Sequence, residues 1–186
     1  MTNQGALSHL FTTPVWNIKG ISQQLVDELY QGAYRFKKMH PSPSKIRSND
    51  GGYQTPFLEW KDFHPKGIEY IERVVGNLIG TEIRTVQSYK SFKVPQWWCN
   101  INGKGDWNLP HTHQFVDYAL VFYLTDSDKL LNFMNPHPQS PGNLHYNSID
   151  AKKGDILIFP ADLLHFVLPN ERDTNRVCIS MNLQLC

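Results

Sequence analysis

The sequence predicts a mainly β domain: an antiparallel sandwich or barrel with N-terminal helices against one outer face. Two segments in the first eighty residues repeat their apolar side chains at helical spacing, and from about residue 82 the repeat shortens to two. No helical segment interrupts the second half, as a doubly wound parallel sheet would require.

In residues 22–36, SQQLVDELYQGAYRF, a helix is predicted with Leu25, Leu29, Ala33 and Phe36 on one face behind a Ser22 cap. A second is predicted over 65–79, opened by Pro65 and presenting Ile68, Ile71, Val75 and Leu78. Between them HPSPSKIRSNDGGYQTP is rich in Pro, Ser, Asn and Gly, so 37–57 reads as a long loop with the length of a lid. Six period-two segments follow: EIRTVQSY, QWWCNIN, YALVFYL, LLNFMN, DILIFP and NRVCISMNLQL. The stretch NPHPQSPGNLHYNS is a second candidate lid.

The 186 residues suit one domain, 1–186, with a helical and loop part over about 1–81 and a β core over about 82–186. Hydrophobic residues at 40% and charged ones at 19% argue for a packed globule. A net charge of +1 and the lack of a basic run give no reason to expect a nucleic-acid partner. No apolar run approaches the roughly 20 residues of a membrane helix, and the N-terminal residues lack the pattern of a signal peptide. A cytoplasmic protein without a membrane partner is the expectation. The three cysteines have no CxxC spacing, so neither a disulfide framework nor a structural zinc site is expected; Cys178 reads as a small core residue. NGKGDWN leads into no helical pattern and is not a phosphate loop.

The chemistry concentrates late in the chain. His111 and His113, in LPHTH, project from one side of an extended backbone. They are either metal ligands or polar residues on the wet face of a strand. His165 can meet them in an antiparallel barrel, and three imidazoles forming a facial set suit Fe(II) while leaving adjacent positions open. Arg176, Cys178, Ser180 and Asn182 alternate onto one face of the last strand. An arginine turned into a barrel needs a counter-anion, which a dicarboxylate would supply through a bidentate contact. The alternative is a solvated Arg176 paired with Glu171 or Asp173. Trp97 and Trp98 point to opposite sides, so at most one faces the site. The histidines at 9, 40, 64, 137 and 145 are expected on the surface or in turns.

Gly105, five residues, His111, one residue, His113, and later Gly154, five residues, Pro160, four residues, His165 resemble the cupin signatures. That resemblance implies a double-stranded β-helix, or jelly-roll. Asp162 stands where a cupin has glycine, and no glutamate follows His113 at the cupin position. A wider resemblance joins LFTTPVW (10–16), SNDGGYQ (48–54), WCNINGKGDWNLPHTH (98–113), VFYL (121–124), GDILIFPADLLHFVLPN (154–170) and NRVCISMN (175–182). In that order these phrases resemble a bacterial and phage group within the iron(II)- and 2-oxoglutarate-dependent oxygenases.

The resemblance implies a dioxygenase using Fe(II), the co-substrate 2-oxoglutarate and O2 to hydroxylate a small molecule or a peptide residue. It implies His111 and His165 as metal ligands and Arg176 as the grip on the distal carboxylate of 2-oxoglutarate. Ser180 adds a hydroxyl there, Tyr123 either contacts it across the barrel or packs as a core aromatic while Phe122 points away, and Asn100 and Asn102 either line the pocket or hydrogen-bond at the strand edge. The commonest pattern of the superfamily is HxD, and His113 stands at the acidic position. A three-histidine site is therefore expected, with Asp117 as the alternative third ligand if a bend or bulge brings it in. Two rivals are a cupin-like metal dioxygenase or isomerase without 2-oxoglutarate, and a non-catalytic β-sandwich binding protein. A homodimer is the expected assembly, and host cytoplasm the location if the chain is phage-encoded.

Overall fold

The computed structural model describes residues 12–44, 48–59, 63, 67–81, 83, 91–136 and 145–186. In chain order the elements are β1 (Trp16–Ile18), α1 (Gln23–Met39), β2 (Asn49–Asp50), β3 (Tyr53–Gln54), α2 (Gly67–Thr81), β4 (Phe92–Asn102), β5 (Trp107–His111), β6 (Tyr118–Tyr123), β7 (Ser127–Met134), β8 (Tyr146–Ala151), β9 (Ile156–Pro160), β10 (His165–Val167) and β11 (Arg176–Leu185). They form two antiparallel sheets, in the orders β1-β9-β6-β11-β4-β3 and β2-β5-β10-β7-β8. Two facing sheets with helices outside one of them make the double-stranded β-helix. No helix of the described residues is long and apolar enough to cross a membrane.

Alternation along the strands builds two cores. In β11, Val177, Ile179, Met181 and Leu183 are fully buried with Val26, Leu29 and Ala33 of α1 and Ile71 and Val75 of α2. Trp97, Cys99 and Ile101 of β4 and Leu120 and Phe122 of β6 join this layer. The opposite face of the same sheet, with Ala119, Tyr123 and Cys178 and with Leu157 and Phe159 of β9, packs between the sheets against Leu131 and Phe133 of β7. A strand buried on both faces reads as nearly continuous apolar sequence, which is why YALVFYL lacks clean alternation.

Helix α1 starts where expected and runs three residues further, to Met39. Ser22 occupies the N-cap position, yet its hydroxyl makes no capping bond; its carbonyl opens the ladder by accepting from Val26 N–H at 3.1 Å. Ile71 and Val75 of the second predicted helix are buried, while Pro65 and the side chains of Ile68 and Leu78 lie outside the described set. So do the predicted strand EIRTVQSY, apart from buried Ile83, and residues 137–144 of the second candidate lid, whose end is β8.

The expected loop over 37–57 is corrected. Its first residues finish α1, and β2 and β3 extend the two sheets by pairing with β5 and β4. Main-chain pairing pins the 48–54 stretch, and Thr55 N–H donates to the Cys99 carbonyl at 3.0 Å, so this part is sheet edge rather than lid. Gly105 (φ 85°) and Gly154 (φ 92°) occupy the left-handed region in the turns before β5 and β9, which favours glycine at both.

Candidate metal and co-substrate site

His111 and His165 are direct cross-strand partners of β5 and β10, and their rings lie 4.3 Å apart. His113, two residues past the end of β5, is 5.3 Å from His111 and 5.2 Å from His165, ring centre to ring centre. Each histidine offers a ring nitrogen within 4.8 Å of the other two, and these are the one such cluster among the described residues.

A local irregularity in β5 aims the first ligand. His165 and Val167 of β10, two positions apart, pair with His111 and Asn108 of β5, three apart. The extra residue is a bulge that breaks strict alternation, so both Asn108 and His111 line the cavity. Pro110 sits inside the bulged stretch, where a residue without an N–H costs least.

Hydrogen bonds hold each ring in one tautomer. His111 Nδ1–H donates to the Leu109 carbonyl at 2.6 Å and His165 Nδ1–H to the Leu163 carbonyl at 2.8 Å. His113 Nδ1–H donates to Asn182 Oδ1 at 2.6 Å, and Asn182 Nδ2 donates in turn to Gln96 Oε1 at 2.9 Å. With Nδ1 a donor in all three, the lone pair of each ring is on Nε2, the form a metal needs. Burial keeps the imidazoles neutral. It lowers the pKa of His111 and His113 and pulls that of buried His165 to about 3, helped by the neighbouring His111. Phe159 presses edge-on against His165 at 4.8 Å, and Trp98 stacks on His113 at 5.8 Å.

From the histidines a narrow cavity runs between the sheets to Arg176. Arg176 is 4% exposed; its Nη2 donates to Asn108 Oδ1 at 2.9 Å, and its Nη1 is buried with no partner. Burial lowers its pKa, the sign that this charge is poorly compensated. Neither Glu171 nor Asp173 serves as a counter-ion; both are exposed, and Asp173 pairs with Lys104 at 2.8 Å. Tyr123, Ser180 and Asn100 line the cavity, with Asn100 Nδ2 donating to Ser180 Oγ at 3.3 Å. Phe122 is in the helix-facing core.

Asn102 follows the hydrogen-bonding alternative. It is fully buried, donates to Asn49 Oδ1 at 2.6 Å and does not line the cavity, because its place at the end of β4 puts it against β2. Asp117 is likewise outside the histidine cluster: its carboxylate accepts from Leu185 N–H at 2.8 Å and ties the end of β11. Cys178 is buried as expected but also lines the cavity, where burial raises its thiol pKa. Trp98 faces the site and Trp97 the core. His40 and His145 are exposed, and His9, His64 and His137 lie outside the described residues.

Sequence reasoning gave no role to Ser48, Asn108 or Asn182. Asn182 carried a signal, since it shares the face of Arg176. Ser48 and Asn108 carried none, for their position depends on the bulge and on the pairing of β2. They link the ends of the cavity: Asn108 Nδ2 donates to Ser48 Oγ at 3.4 Å, and Ser48 Oγ lies 3.3 Å from His111 Nε2.

Residues 96–182, which hold every residue of this site except Ser48, match the family described as "Putative 2OG-Fe(II) oxygenase". No curated protein sequence matches the chain significantly. Among solved structures the chain is similar to HygX from Streptomyces hygroscopicus with nickel and 2-oxoglutarate bound (TM-score 0.68, 11% identity, 93% of this chain and 83% of that one). It is similar to a Pseudomonas putida prolyl-4-hydroxylase (0.67, 14%, 93% of each chain). It is also similar to the 2-oxoglutarate complex of the viral collagen prolyl hydroxylase vCPH from Paramecium Bursaria Chlorella virus-1 (0.62, 16%, 91% and 94%).

Proposed function

We propose that this chain, an iron(II)- and 2-oxoglutarate-dependent oxygenase by the family of its residues 96–182, hydroxylates a C–H bond of a small molecule or peptide residue, with His111, His113 and His165 holding the metal. The observation that carries this assignment is the convergence of three neutral imidazoles, each with Nδ1 tied down, on a cavity that ends at an unpaired buried guanidinium nitrogen.

The donor set fits the groups. Three imidazole nitrogens suit Fe(II), and three protein ligands leave room for a chelating co-substrate and O2. Arg176 Nη1 lacks a partner in the protein, and a carboxylate of 2-oxoglutarate would satisfy it. Ser180 supplies a hydroxyl to the same end, with Tyr123 and Asn100 as the adjoining polar walls. Bound iron and 2-oxoglutarate supply the oxidation, in which one atom of O2 enters the substrate C–H bond and the other enters succinate as CO2 leaves.

The work of the chain is positional. Leu109, Leu163 and Asn182 hold the imidazoles in register. Arg176 sets the depth of the co-substrate, with Asn108 orienting its guanidinium. Phe133, Phe159 and Leu131 keep bulk water from the inner wall. On this proposal residues 1–186 act as one unit, a homodimer in the cytoplasm without a nucleic-acid partner; sedimentation tests the assembly and cell fractionation the location.

Anaerobic addition of Fe(II) and 2-oxoglutarate to the purified protein is expected to give a metal-to-ligand charge-transfer band, lost in Arg176→Ala at the same co-substrate concentration. Iron bound with no band at any 2-oxoglutarate concentration would favour a cupin-like enzyme without this co-substrate. No iron bound would favour a binding protein.

A further inference from the structure

His111 and His113 stand between two spaces. The inner one ends at Arg176; the outer one is an open groove of about 520 Å³ that shares Ser48, Trp98, His111 and His113 with it. We propose that this outer groove takes an uncharged stretch of polypeptide as the substrate of the reaction. This rests on the oxygenase reading and names the substrate class of the same site.

Charge is the first argument. Among the described residues lining the groove, none is Asp, Glu, Lys or Arg, and the only titratable side chains are His111 and His113. A free amino acid brings an ammonium and a carboxylate, and a nucleotide brings more. Such groups, once desolvated, need a counter-charge, and the described lining offers none beside the two imidazoles.

Hydrogen-bonding chemistry is the second. Primary amides line the groove at Gln54, Gln96, Gln114 and Asn182; those of Asn182 and Gln96 already bond to each other and to His113 on one side, and Gln114 is exposed. A primary amide both donates and accepts, which matches the repeating N–H and C=O of a peptide backbone and needs no charge on either side. Thr112 adds an exposed hydroxyl beside them.

Length and apolarity are the third. Phe57 is 52% exposed and Leu109 44% exposed at the rim, large apolar groups left in water at the mouth of the groove. Phe57 also lines a neighbouring trough of about 610 Å³, walled by Phe36, Met39, Pro41 and Leu58, with Met39 65% exposed. Groove and trough meet at Phe57, giving a track for several residues, with backbone recognition near the histidines and an apolar side chain beyond them.

The test uses the full chain and a pool of blocked peptides, acetyl-Gly-Ala-X-Ala-Gly-Gly-amide, in which X runs through all side chains; the same amino acids, unblocked, form the second pool. Equilibrium dialysis against metal-free protein reads binding independently of the oxygenase reading. Fe(II), 2-oxoglutarate and O2 then read succinate release and oxygen gain in the peptide.

Members with uncharged X are expected to be retained and to raise succinate release about tenfold over the substrate-free rate, while members with Asp, Glu, Lys or Arg and the free amino acids are not. In Gln114→Lys the Glu member is expected to gain about tenfold in retention, and in Gln114→Glu the Lys member likewise. Retention of free amino acids, equal retention of charged members, or retention of nothing overturns the proposal, as does an unchanged ranking in both Gln114 variants. Retained peptides with no co-substrate band and no succinate would instead overturn the oxygenase reading and leave the substrate class standing.

Discussion

Replacing Arg176 by methionine separates the two roles of this residue. In the free protein Arg176 contributes little net stability, because its guanidinium is 4% exposed and Nη1 is unpaired. An unsatisfied buried donor costs about 1–3 kcal/mol, and methionine removes it while filling much of the same space. The substitution also strips Asn108 Oδ1 of its donor, a loss of about the same size. The metal-loaded variant without co-substrate should therefore unfold within about 1–2 kcal/mol of the parent. With co-substrate the two diverge. At a hundredfold excess over Kd a ligand stabilises the parent by about 2.7 kcal/mol, a rise in Tm of roughly 5–11 °C for a chain of this size. Leaving the carboxylate unpaired costs about 2–5 kcal/mol of affinity. Even the lower figure weakens binding by about thirtyfold and cuts the stabilisation at that concentration to about 0.9 kcal/mol. Calorimetry of the Mn(II)-loaded proteins, with and without 2-oxoglutarate, reads both quantities. A full ligand-induced shift in Arg176→Met would refute the assignment of Arg176 to the co-substrate; a collapse of the ligand-free variant would refute the claim that its charge is poorly compensated.

Three further outcomes are expected. The metal-free protein should lose stability as pH falls. His165 has a folded pKa of about 3 against 6.5 unfolded, so the unfolded chain binds more protons between those values; the stability is complete above pH 6.5 and is reduced by about 2 kcal/mol at pH 5 from this group alone, which urea titration of the apoprotein at pH 7.5 and 5 will show or exclude. Asn182→Ala should weaken Co(II) binding by about 10–100-fold, since it frees the His113 ring, and unchanged affinity in a metal titration would remove Asn182 from the site. Asp117→Ala should leave Co(II) affinity unchanged while costing about 1 kcal/mol of stability through the lost bond to Leu185; a large loss of metal would instead restore Asp117 as third ligand.

What the sequence made legible is what alternation controls. The inward set Arg176, Cys178, Ser180 and Asn182, the opposed pair Phe122 and Tyr123, and the split between Trp97 and Trp98 follow from period two within long strands buried on both faces. The two turn glycines were readable because left-handed backbone favours that residue. The short strands β1, β2, β3 and β10 were not, since two or three residues carry no period. They exist because the neighbouring strand offers unpaired main-chain groups: β2 is held by the pairing of Asn49 with Asn108 and of Asp50 with Trp107, not by its own propensity. The choice between the two roles of Asn102 was closed to sequence for a related reason: parity put it on the inner face, but its distance along β4 placed it against Asn49 rather than in the cavity.

The bulge in β5 decides whether the cluster exists at all. Without the extra residue, Asn108 and His111 would fall on opposite faces, since they are an odd number of positions apart, and either the arginine would lose its partner or the metal its ligand. A slip of one residue between β5 and β10 would set Leu164 or Phe166 opposite His111, and Phe166 already packs outward against Tyr146. Apolar contacts prevent that slip: Phe133 and Phe159 hold the His165 ring, and Val167 lines the inner wall. The ligands are thus positioned by packing and main-chain pairing that need no metal. The HxH in LPHTH becomes a chelating pair only because Pro110 sits in a bulge that turns His111 inward and His113, one residue beyond His111's neighbour, returns to the same side through its bond to Asn182.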